Sequence, residues 1–319
     1  MKVDALWVTE PNKVEIRQVE IGNPKYGEVQ IEIKACGICS WDSSLYQGHS
    51  NPKPIPYTFG HEGVGYVHAV GEGVDTLKPG DKVFAASAEN DMFMQFCNQN
   101  VSCVAKIPDD ANWNDWIAEP TVCTVNLLYK AKIKPGDRIA LVGAGYMGLL
   151  ALQGLQAEPF GEVVVFEIRA DRRELAAKYY NNGVYDPYSP KGIEKINEII
   201  GMGGFDIVIE LSASNTGYEL ANKLTKNTAG KLIIGSWHRQ NMSFDSTSWH
   251  LDGLNVLNLA PGSNKHFREL IPATEALIRR GVYEPGSLVT HVSDYHDANA
   301  ILQNSIDKTD GYLKGIITF

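Results

Sequence analysis

The sequence lacks a long uninterrupted run of apolar residues, and it has no excess of positive charge. Its opening segment, MKVDALWVTEPNKVEI, mixes charged with apolar residues, so it predicts neither a signal peptide nor a membrane span. Lysine and arginine total 29 against 38 acidic residues, which gives a formal net charge of -9. Nucleic acids and anionic membranes bind clustered basic residues, so neither is an expected partner. We expect a cytoplasmic protein.

Cysteine is also scarce, with five residues in a chain of 319. In a chain without an export signal, these cysteines are interpreted as thiols or metal ligands rather than as a disulfide framework. The hydrophobic content of 44% and the chain length predict packed cores and two domains of ordinary size.

The pattern of the sequence changes along the chain. Up to about residue 110, Gly and Pro are dense and short Val/Ile alternations such as VQIEI predict a barrel-like β unit. From about residue 125, apolar strands alternate with helical stretches, which predicts a doubly wound parallel sheet. The tail predicts a helix over 266–280, a strand near 288–292, a helix over 298–305 and a final strand, GIITF. We therefore predict one domain from 1–124 and 262–319, and a second from 125–261.

A glycine-rich motif follows the apolar run IALV and opens a helical segment. Its residues are Gly143, Ala144, Gly145, Tyr146, Met147 and Gly148. The first glycine permits a tight turn, the second lets a pyrophosphate approach the backbone, and the third lets the helix pack against the strand. This context predicts a dinucleotide site.

The acidic residue that ends the next strand, VVVFE, bears on the choice of cofactor. Glu167 is near the position where a carboxylate hydrogen-bonds the adenosine ribose and repels a 2′-phosphate, which favours NAD over NADP. Three nearby arginines, Arg169, Arg172 and Arg173, could instead pair with that phosphate. The alternative is that these arginines are solvent-exposed residues in the first turn of a helix and do not bind the cofactor.

Two glycine-flanked segments of the β unit carry metal-binding residue types. CGICSWD (36–42) and GHEG (60–63) together supply a thiolate, an imidazole and a carboxylate. Zinc binds these donors, and a catalytic zinc takes three protein ligands and keeps one open position. These fragments and the downstream dinucleotide motif predict one catalytic zinc.

Together these motifs resemble the zinc-containing medium-chain dehydrogenase/reductase superfamily. ACGICSWD, GHEGVGYV, KPGDKV, KPGDRIALVGAGYMG and LKGIITF occur in the order and spacing typical of that family. The pair Glu119-Pro120 resembles the sorbitol and polyol dehydrogenase branch. The resemblance implies a GroES-like β-barrel catalytic domain, a Rossmann domain, and a homodimer or homotetramer.

The resemblance also implies roles for individual residues. Cys39 and His61 match the first two zinc ligands, whereas Cys36 matches a position that is not a ligand. Glu62 matches a glutamate that is a ligand or an exchanging neighbour of the metal, and Glu119 matches the third-ligand position.

Two further positions outside the ligand set match the family. Asp42 matches a carboxylate that orients a ligating imidazole, and Lys314 matches a basic residue that contacts the pyrophosphate. Many relatives hold a second, structural zinc with four closely spaced cysteines, but the corresponding stretch, 87–103, has only Cys97 and Cys103. We predict no structural zinc.

The sequence departs from the family at Trp41, where relatives usually carry a Ser or Thr that begins the proton relay. An indole cannot accept that proton. The proton must then leave through another group, and the local candidates are Ser40, Ser43, Ser44, His49 or a water near Glu62.

These features predict an enzyme that transfers a hydride between a nicotinamide cofactor and the carbinol carbon of a small alcohol, with zinc as the Lewis acid. The resemblance points to a secondary alcohol of a polyol, sugar or cyclitol. Trp41, Tyr46, Trp113 and Trp116 either line the substrate pocket or belong to the core. Two alternatives stay open: a zinc-free, NADPH-dependent quinone or enone reductase, and a non-catalytic dinucleotide sensor of the same fold.

Overall fold

A computed structural model describes residues 1–49, 54–86, 91–238, 241–244, 246–259, 267–309 and 311–319. It divides into two compact units, Met1–Val122 with His266–Phe319, and Cys123–Lys265. Among the helices of these ranges, none has the length and apolar character needed to cross a bilayer.

Strands dominate the first unit. In chain order its strands and helices are β1 (Lys2–Glu10), β2 (Lys13–Glu20), β3 (Glu28–Gly37), α1 (Ser40–Tyr46), β4 (Tyr57–Thr58), β5 (Glu62–Val70), β6 (Lys82–Ala86), β7 (Phe96–Asn100), β8 (Val104–Lys106), and the start of α2 (Glu119–Ala131), within which the division between the units falls.

The second unit alternates strands and helices, and the tail then completes the first unit. The second unit contains β9 (Arg138–Val142), α3 (Tyr146–Leu155), β10 (Glu162–Phe166), α4 (Ala170–Ala177), β11 (Val184–Tyr185), α5 (Pro190–Gly201), β12 (Ile207–Glu210), α6 (Asn215–Leu224), β13 (Lys231–Ile234), α7 (Ser246–Asp252) and β14 (Asn255–Asn258). The tail contains α8 (Ile271–Arg279), β15 (His291–Asp294), α9 (Ala298–Asp307) and β16 (Gly315–Thr318).

The sheets of the first unit are mainly antiparallel. One has three strands in the order β2-β1-β4, and the other has seven, with β15-β16-β3-β5-β6-β8 in sequence and β7 paired with β3. In β3 the alternating residues Val29, Ile31 and Ile33 are at most 1% exposed, since one face of the strand packs into the core. The barrel-like β unit predicted from VQIEI is therefore present.

The second unit contains a six-stranded parallel sheet in the order β11-β10-β9-β12-β13-β14. Because helices cover both faces of such a sheet, its strands are continuous apolar runs rather than alternating ones. The four residues of β12 are all buried. This is the doubly wound arrangement that the sequence predicts.

The tail differs from the prediction in two places. Instead of one helix over 266–280, a 3-10 turn at Arg268–Leu270 precedes α8, and residue 266 lies outside the described residues. The strand expected near 288–292 begins only at His291, because Pro285, which lacks a backbone N–H, opens a 3-10 turn over Pro285–Leu288.

The close pairing of β3 and β5 gives a first prediction. A Cβ atom at Gly65 would overlap the backbone carbonyl oxygen of Glu32. We expect Gly65→Ala to lower the free energy of unfolding by about 1–3 kcal/mol, since backbone must shift to admit the methyl group. The control is Gly22→Ala, where no atom lies within 4 Å of the added Cβ. Denaturant unfolding of both variants measures the difference, and equal stabilities would contradict this account of the β3–β5 contact.

Candidate functional site

The register of three neighbouring strands brings the predicted metal ligands of the first unit together. In β3, Gly37 pairs with Glu62 of β5 on one side and with Ile316 of β16 on the other. Cys39 follows the end of β3, and His61 immediately precedes β5. Two segments that are distant in sequence therefore meet because antiparallel pairing places the end of one strand beside the start of the next.

Three side chains at this edge form a group that can hold a metal ion. Within the described part of the chain, the ligand atoms of Cys39, His61 and Glu62 all lie within 4.8 Å of one another. Sulfur, imidazole nitrogen and carboxylate oxygen suit zinc, whose ligands lie about 2.0–2.3 Å from the ion. The Oε1 atom of Glu62 is buried without a hydrogen-bond partner, which leaves an acceptor available to a cation. The residues therefore fit the implied metal.

The other oxygen of Glu62 is bound by a lysine from the C-terminal segment. Lys314, which precedes β16, donates from Nζ to Glu62 Oε2 and, at 3.0 Å, to the carbonyl oxygen of Ile38. Glu62 is 1% exposed and Lys314 is 3% exposed. The family resemblance implies that Lys314 contacts the pyrophosphate. In the structure its ammonium group lies on Glu62, and the pyrophosphate contact stays a prediction.

Gly37 makes this ion pair possible. A Cβ atom there would overlap Glu62 Oε2 and lie 2.6 Å from Ile117 Cγ2. The pairing of Glu62 with Lys314 was not predicted from the sequence. The glycine between Cys36 and Ile38 was the available signal, since a glycine is required where a side chain approaches the backbone closely.

A second buried carboxylate faces the imidazole. Asp42, which is 0% exposed, lies with Oδ1 3.3 Å from His61 Nδ1 and accepts from the backbone N–H of Cys39 through Oδ2 at 2.9 Å. Burial by itself lowers the pKa of His61, but the charges of Asp42 and Cys39 outweigh it, and the pKa is raised well above its ordinary value. A metal bound here must displace that proton from the ring.

The fourth predicted ligand lies outside this group. Glu119 is the first residue of α2 and is 5% exposed, but it is not among the three residues whose ligand atoms lie within 4.8 Å. Its role as the third-ligand residue stays a prediction.

The three serine candidates for the proton relay lie on α1 in different environments, and His49 lies beyond the end of that helix. Ser40 is exposed, and Ser44 is 0% exposed with an Oγ that has no hydrogen-bond partner in the described structure. The Oγ atom of Ser43 makes hydrogen bonds to the carbonyl oxygen of Cys39 at 3.2 Å and with Ser305 Oγ at 2.7 Å. Trp41 packs at the edge of the barrel core.

The remaining cysteines of the first unit are buried thiols. Cys36 is 0% exposed, and burial raises the pKa of its thiol well above the ordinary value. Burial likewise raises the pKa of Cys97 to about 12. Cys103 is 3% exposed, and residues 87–90 of the stretch considered for a structural zinc lie outside the described residues.

The glycine-rich motif of the second unit has the geometry of a phosphate-binding loop. Gly143 follows β9 with φ +97°, and Gly145 is the N-cap of the ten-residue helix α3. No atom lies within 4 Å of a Cβ placed on Gly145, so the backbone there is open to a ligand. Tyr146 and Met147 are partly buried at the start of the helix. The loop fits a pyrophosphate at the N-terminus of the helix.

Glu167 is linked to the same loop. Its Oε2 accepts from the backbone N–H of Ala144 at 2.7 Å, and its Oε1 accepts from that of Arg169 at 2.8 Å. A carboxylate has about four acceptor positions, so these two bonds leave capacity for the hydroxyls of a ribose.

The neighbouring arginines bind protein groups. Arg169 makes a bidentate contact with Asp171 at 3.0 and 2.9 Å, and Arg173 donates to the carbonyl oxygen of Glu167 at 3.0 Å. Arg172 is 5% exposed, and burial lowers its pKa. These contacts favour a structural role for Arg169 and Arg173, and the cofactor contact of Arg172 stays a prediction.

Comparisons with known proteins identify the family. The family model described as alcohol dehydrogenase GroES-like domain matches residues 25–109, and the model described as zinc-binding dehydrogenase matches 147–276. An alcohol dehydrogenase of Geobacillus stearothermophilus is 27% identical over 290 residues, covering 81% of this chain and 84% of the relative. The (R,R)-butanediol dehydrogenase of Bacillus subtilis is 25% identical over 316 residues, covering 88% and 89%.

A solved structure supports the fold. The crystal structure of an oxidoreductase/dehydrogenase of unknown specificity from Escherichia coli superposes with a TM-score of 0.88, at 24% identity, over 100% of this chain and 99% of that one. Fold, site and relatives together define a nicotinamide-dependent alcohol oxidoreductase. The chain belongs to the zinc-type medium-chain dehydrogenase/reductase superfamily, and the predicted fold class, a GroES-like domain with a Rossmann domain, is confirmed.

Thiol alkylation tests the geometry of the metal group. In protein freed of metal by a chelator, we expect iodoacetamide at pH 8 to label the partly exposed Cys39 and to leave Cys36 and Cys97 unlabelled, because both are buried with raised pKa values. Zinc added beforehand should protect Cys39. Mass spectrometry of peptides gives the labelled fraction of each thiol, with Cys36 and Cys97 as internal controls. Labelling of Cys39 that zinc leaves unchanged would contradict a metal site there.

Proposed function

We propose that the chain is a zinc-dependent alcohol dehydrogenase that uses NAD to oxidise a secondary alcohol of a polyol, sugar or cyclitol, or that reduces the corresponding ketone. The proposal is supported above all by one observation, the grouping of the Cys39, His61 and Glu62 donor atoms within 4.8 Å. An aliphatic hydroxyl does not ionise unaided at neutral pH, and bound zinc supplies the Lewis acidity that the reaction needs.

Each residue of the first unit has a distinct task in this proposal. Cys39 and His61 hold the metal, and an acidic ligand comes from Glu62 or Glu119. Asp42 fixes the imidazole by facing Nδ1, which leaves the other ring nitrogen for the metal. Since Trp41 offers no proton acceptor, the substrate proton leaves through the hydroxyl of Ser40 or Ser44.

The substrate class is the part of the proposal that depends most on relatives. The butanediol dehydrogenase relative acts, by its name, on a vicinal diol, and the Glu119-Pro120 pair resembles the polyol branch. A carboxylate in place of a thiolate makes the ligand set harder and more oxygen-rich. A homodimer or homotetramer is the proposed assembly, by the same resemblance.

Replacement of the thiolate tests the proposal directly. We expect Cys39→Ala to lose bound zinc and roughly a thousandfold or more in kcat, because a Lewis acid contributes several kcal/mol to such a reaction. NADH binding should be retained, since the dinucleotide loop belongs to the other unit. Zinc per chain by elemental analysis, turnover with a panel of polyols, sugars and cyclitols, and NADH fluorescence titration measure the three quantities.

The matched control is Cys36→Ala, which removes a buried thiol near the group and should leave zinc content and turnover close to those of the unaltered chain. A Cys39→Ala variant with unchanged activity would refute the mechanism. Purified protein that carries no zinc and reduces quinones with NADPH would favour the zinc-free alternative. Zinc and NADH binding without turnover on any alcohol or ketone would favour the sensor.

The carboxylate of Glu167 tests the proposed preference for NAD. Glu167→Gln keeps the size of the side chain and removes the charge that opposes a 2′-phosphate. We expect the ratio of the NADPH to the NADH dissociation constant to fall by about fivefold, in line with about 1 kcal/mol for a screened charge pair. The control Glu174→Gln removes the charge of an exposed carboxylate on α4. An unchanged ratio would show that Glu167 does not set cofactor choice.

A further inference from the structure

A second buried carboxylate of the Rossmann unit lies at the carboxyl end of β12. Glu210 is 0% exposed. Its Oε1 accepts from the backbone N–H of Ser212 at 2.7 Å, from the Ser212 hydroxyl at 2.6 Å and from the backbone N–H of Ala213 at 3.1 Å. One oxygen thus fixes the turn that leads into α6.

The other oxygen of Glu210 holds a histidine from the segment after β13. Oε2 accepts from the hydroxyl of Ser236 and from His238 Nε2 at 2.9 Å. Because a carboxylate only accepts hydrogen bonds, Nε2 must carry a proton. The ring of Tyr218 packs edge-on against the imidazole, with centroids 6.1 Å apart and planes at 75°. The imidazole is therefore fixed in tautomer and in orientation.

The opposite ring nitrogen is available. The side chain of His238 is 11% exposed, and within the described residues its hydrogen bonds all involve Nε2. Such an arrangement, with one nitrogen fixed by a buried acid and the other without a hydrogen bond in the described residues, is typical of a histidine that binds a ligand.

The position of this pair in the sheet indicates which ligand. In the order β11-β10-β9-β12-β13-β14, the winding reverses between β9 and β12, and ligands bind at the carboxyl ends of the strands there. The pair adjoins the dinucleotide loop, since a Cβ on Gly143 would lie 2.6 Å from the backbone nitrogen of Ser212. Glu167 lies on the adenosine side of that loop, so the β12–β13 side is left for the nicotinamide half.

We propose that His238 binds a hydroxyl of the nicotinamide ribose through Nδ1, with Glu210 as the positioning residue. A hydroxyl both donates and accepts, so it pairs with Nδ1 whether the ring is neutral or protonated. This assignment rests on the proposed use of a nicotinamide dinucleotide, and it adds a cofactor-binding residue that the sequence motifs do not contain.

Two substitutions separate ligand binding from a structural role. The amide nitrogen of glutamine can take the place of Nε2, so His238→Gln keeps the bond to Glu210 and loses the atom at Nδ1. Asparagine does the reverse, because its amide group reaches the position of Nδ1. We expect His238→Gln to weaken NADH binding roughly fivefold, the effect of one lost hydrogen bond, and His238→Asn to weaken it less. A role limited to holding Glu210 predicts the opposite order.

Three ligands locate the contact. NADH and ADP-ribose both contain the second ribose, whereas ADP lacks it, so His238→Gln should weaken the first two and leave ADP unchanged. His250→Ala, an exposed histidine on α7, is the matched control and should bind all three as the unaltered chain does. An equal loss for ADP, a loss for NADH but not for ADP-ribose, or no loss at all would each overturn the assignment.

Calorimetric titration of the chelator-treated protein makes this test independent of metal and substrate. If zinc or the alcohol substrate is wrongly proposed, turnover fails while the ligand series for His238→Gln still gives its answer. If the chain prefers NADPH, the same series is measured with the 2′-phosphorylated forms of the three ligands. Melting temperatures show whether each variant has folded. If His238→Gln has not folded, the three ligands are compared on His238→Asn instead.

Discussion

The register between β16, β3 and β5 is the constraint on which the metal group depends. It sets Gly37 between Glu62 and Ile316. The side chains of Glu62 and Lys314 meet beside Gly37, which has no side chain to obstruct them. A shift of one residue would turn every side chain of a strand to its other face and separate the group. The strands that form the barrel core therefore also fix the geometry of the donors.

Burial of so many charges at one edge requires compensation. An uncompensated buried ion costs several kcal/mol, and the cost is offset only where each charge is paired and hydrogen-bonded. Glu62 is paired with Lys314, and Asp42 faces His61 and accepts the backbone N–H of Cys39. In the described structure, Glu62 Oε1 is buried without a hydrogen-bond partner, as are Asp42 Oδ1 and His61 Nδ1, and a cation is the natural complement to the carboxylate oxygen of Glu62.

The two domains, the dinucleotide loop and the metal-binding segments could be predicted from the sequence, because each is signalled by residues close together in the chain. Gly143 and Gly145 follow an apolar strand, and the turn that they form is decided by residues close together in the chain. The pairing of Glu62 with Lys314 depends instead on the order of strands in a sheet, which spacing along the chain does not reveal. For the same reason the sequence motifs gave no sign of Glu210 and His238, which come together only through the adjacency of β12 and β13.

The two units use one physical device. In the first, Asp42 faces Nδ1 of His61, and in the second, Glu210 accepts from Nε2 of His238. In both, a carboxylate with no exposed surface accepts from backbone N–H with one oxygen and faces a ring nitrogen with the other, at 3.3 Å in the first unit and at 2.9 Å, as a hydrogen bond, in the second. Because the same acid that orients the ring also anchors the adjacent turn, the free nitrogen is fixed relative to the strand ends. Binding of a ligand to that nitrogen costs little conformational entropy in the side chain, since folding has already immobilised the ring.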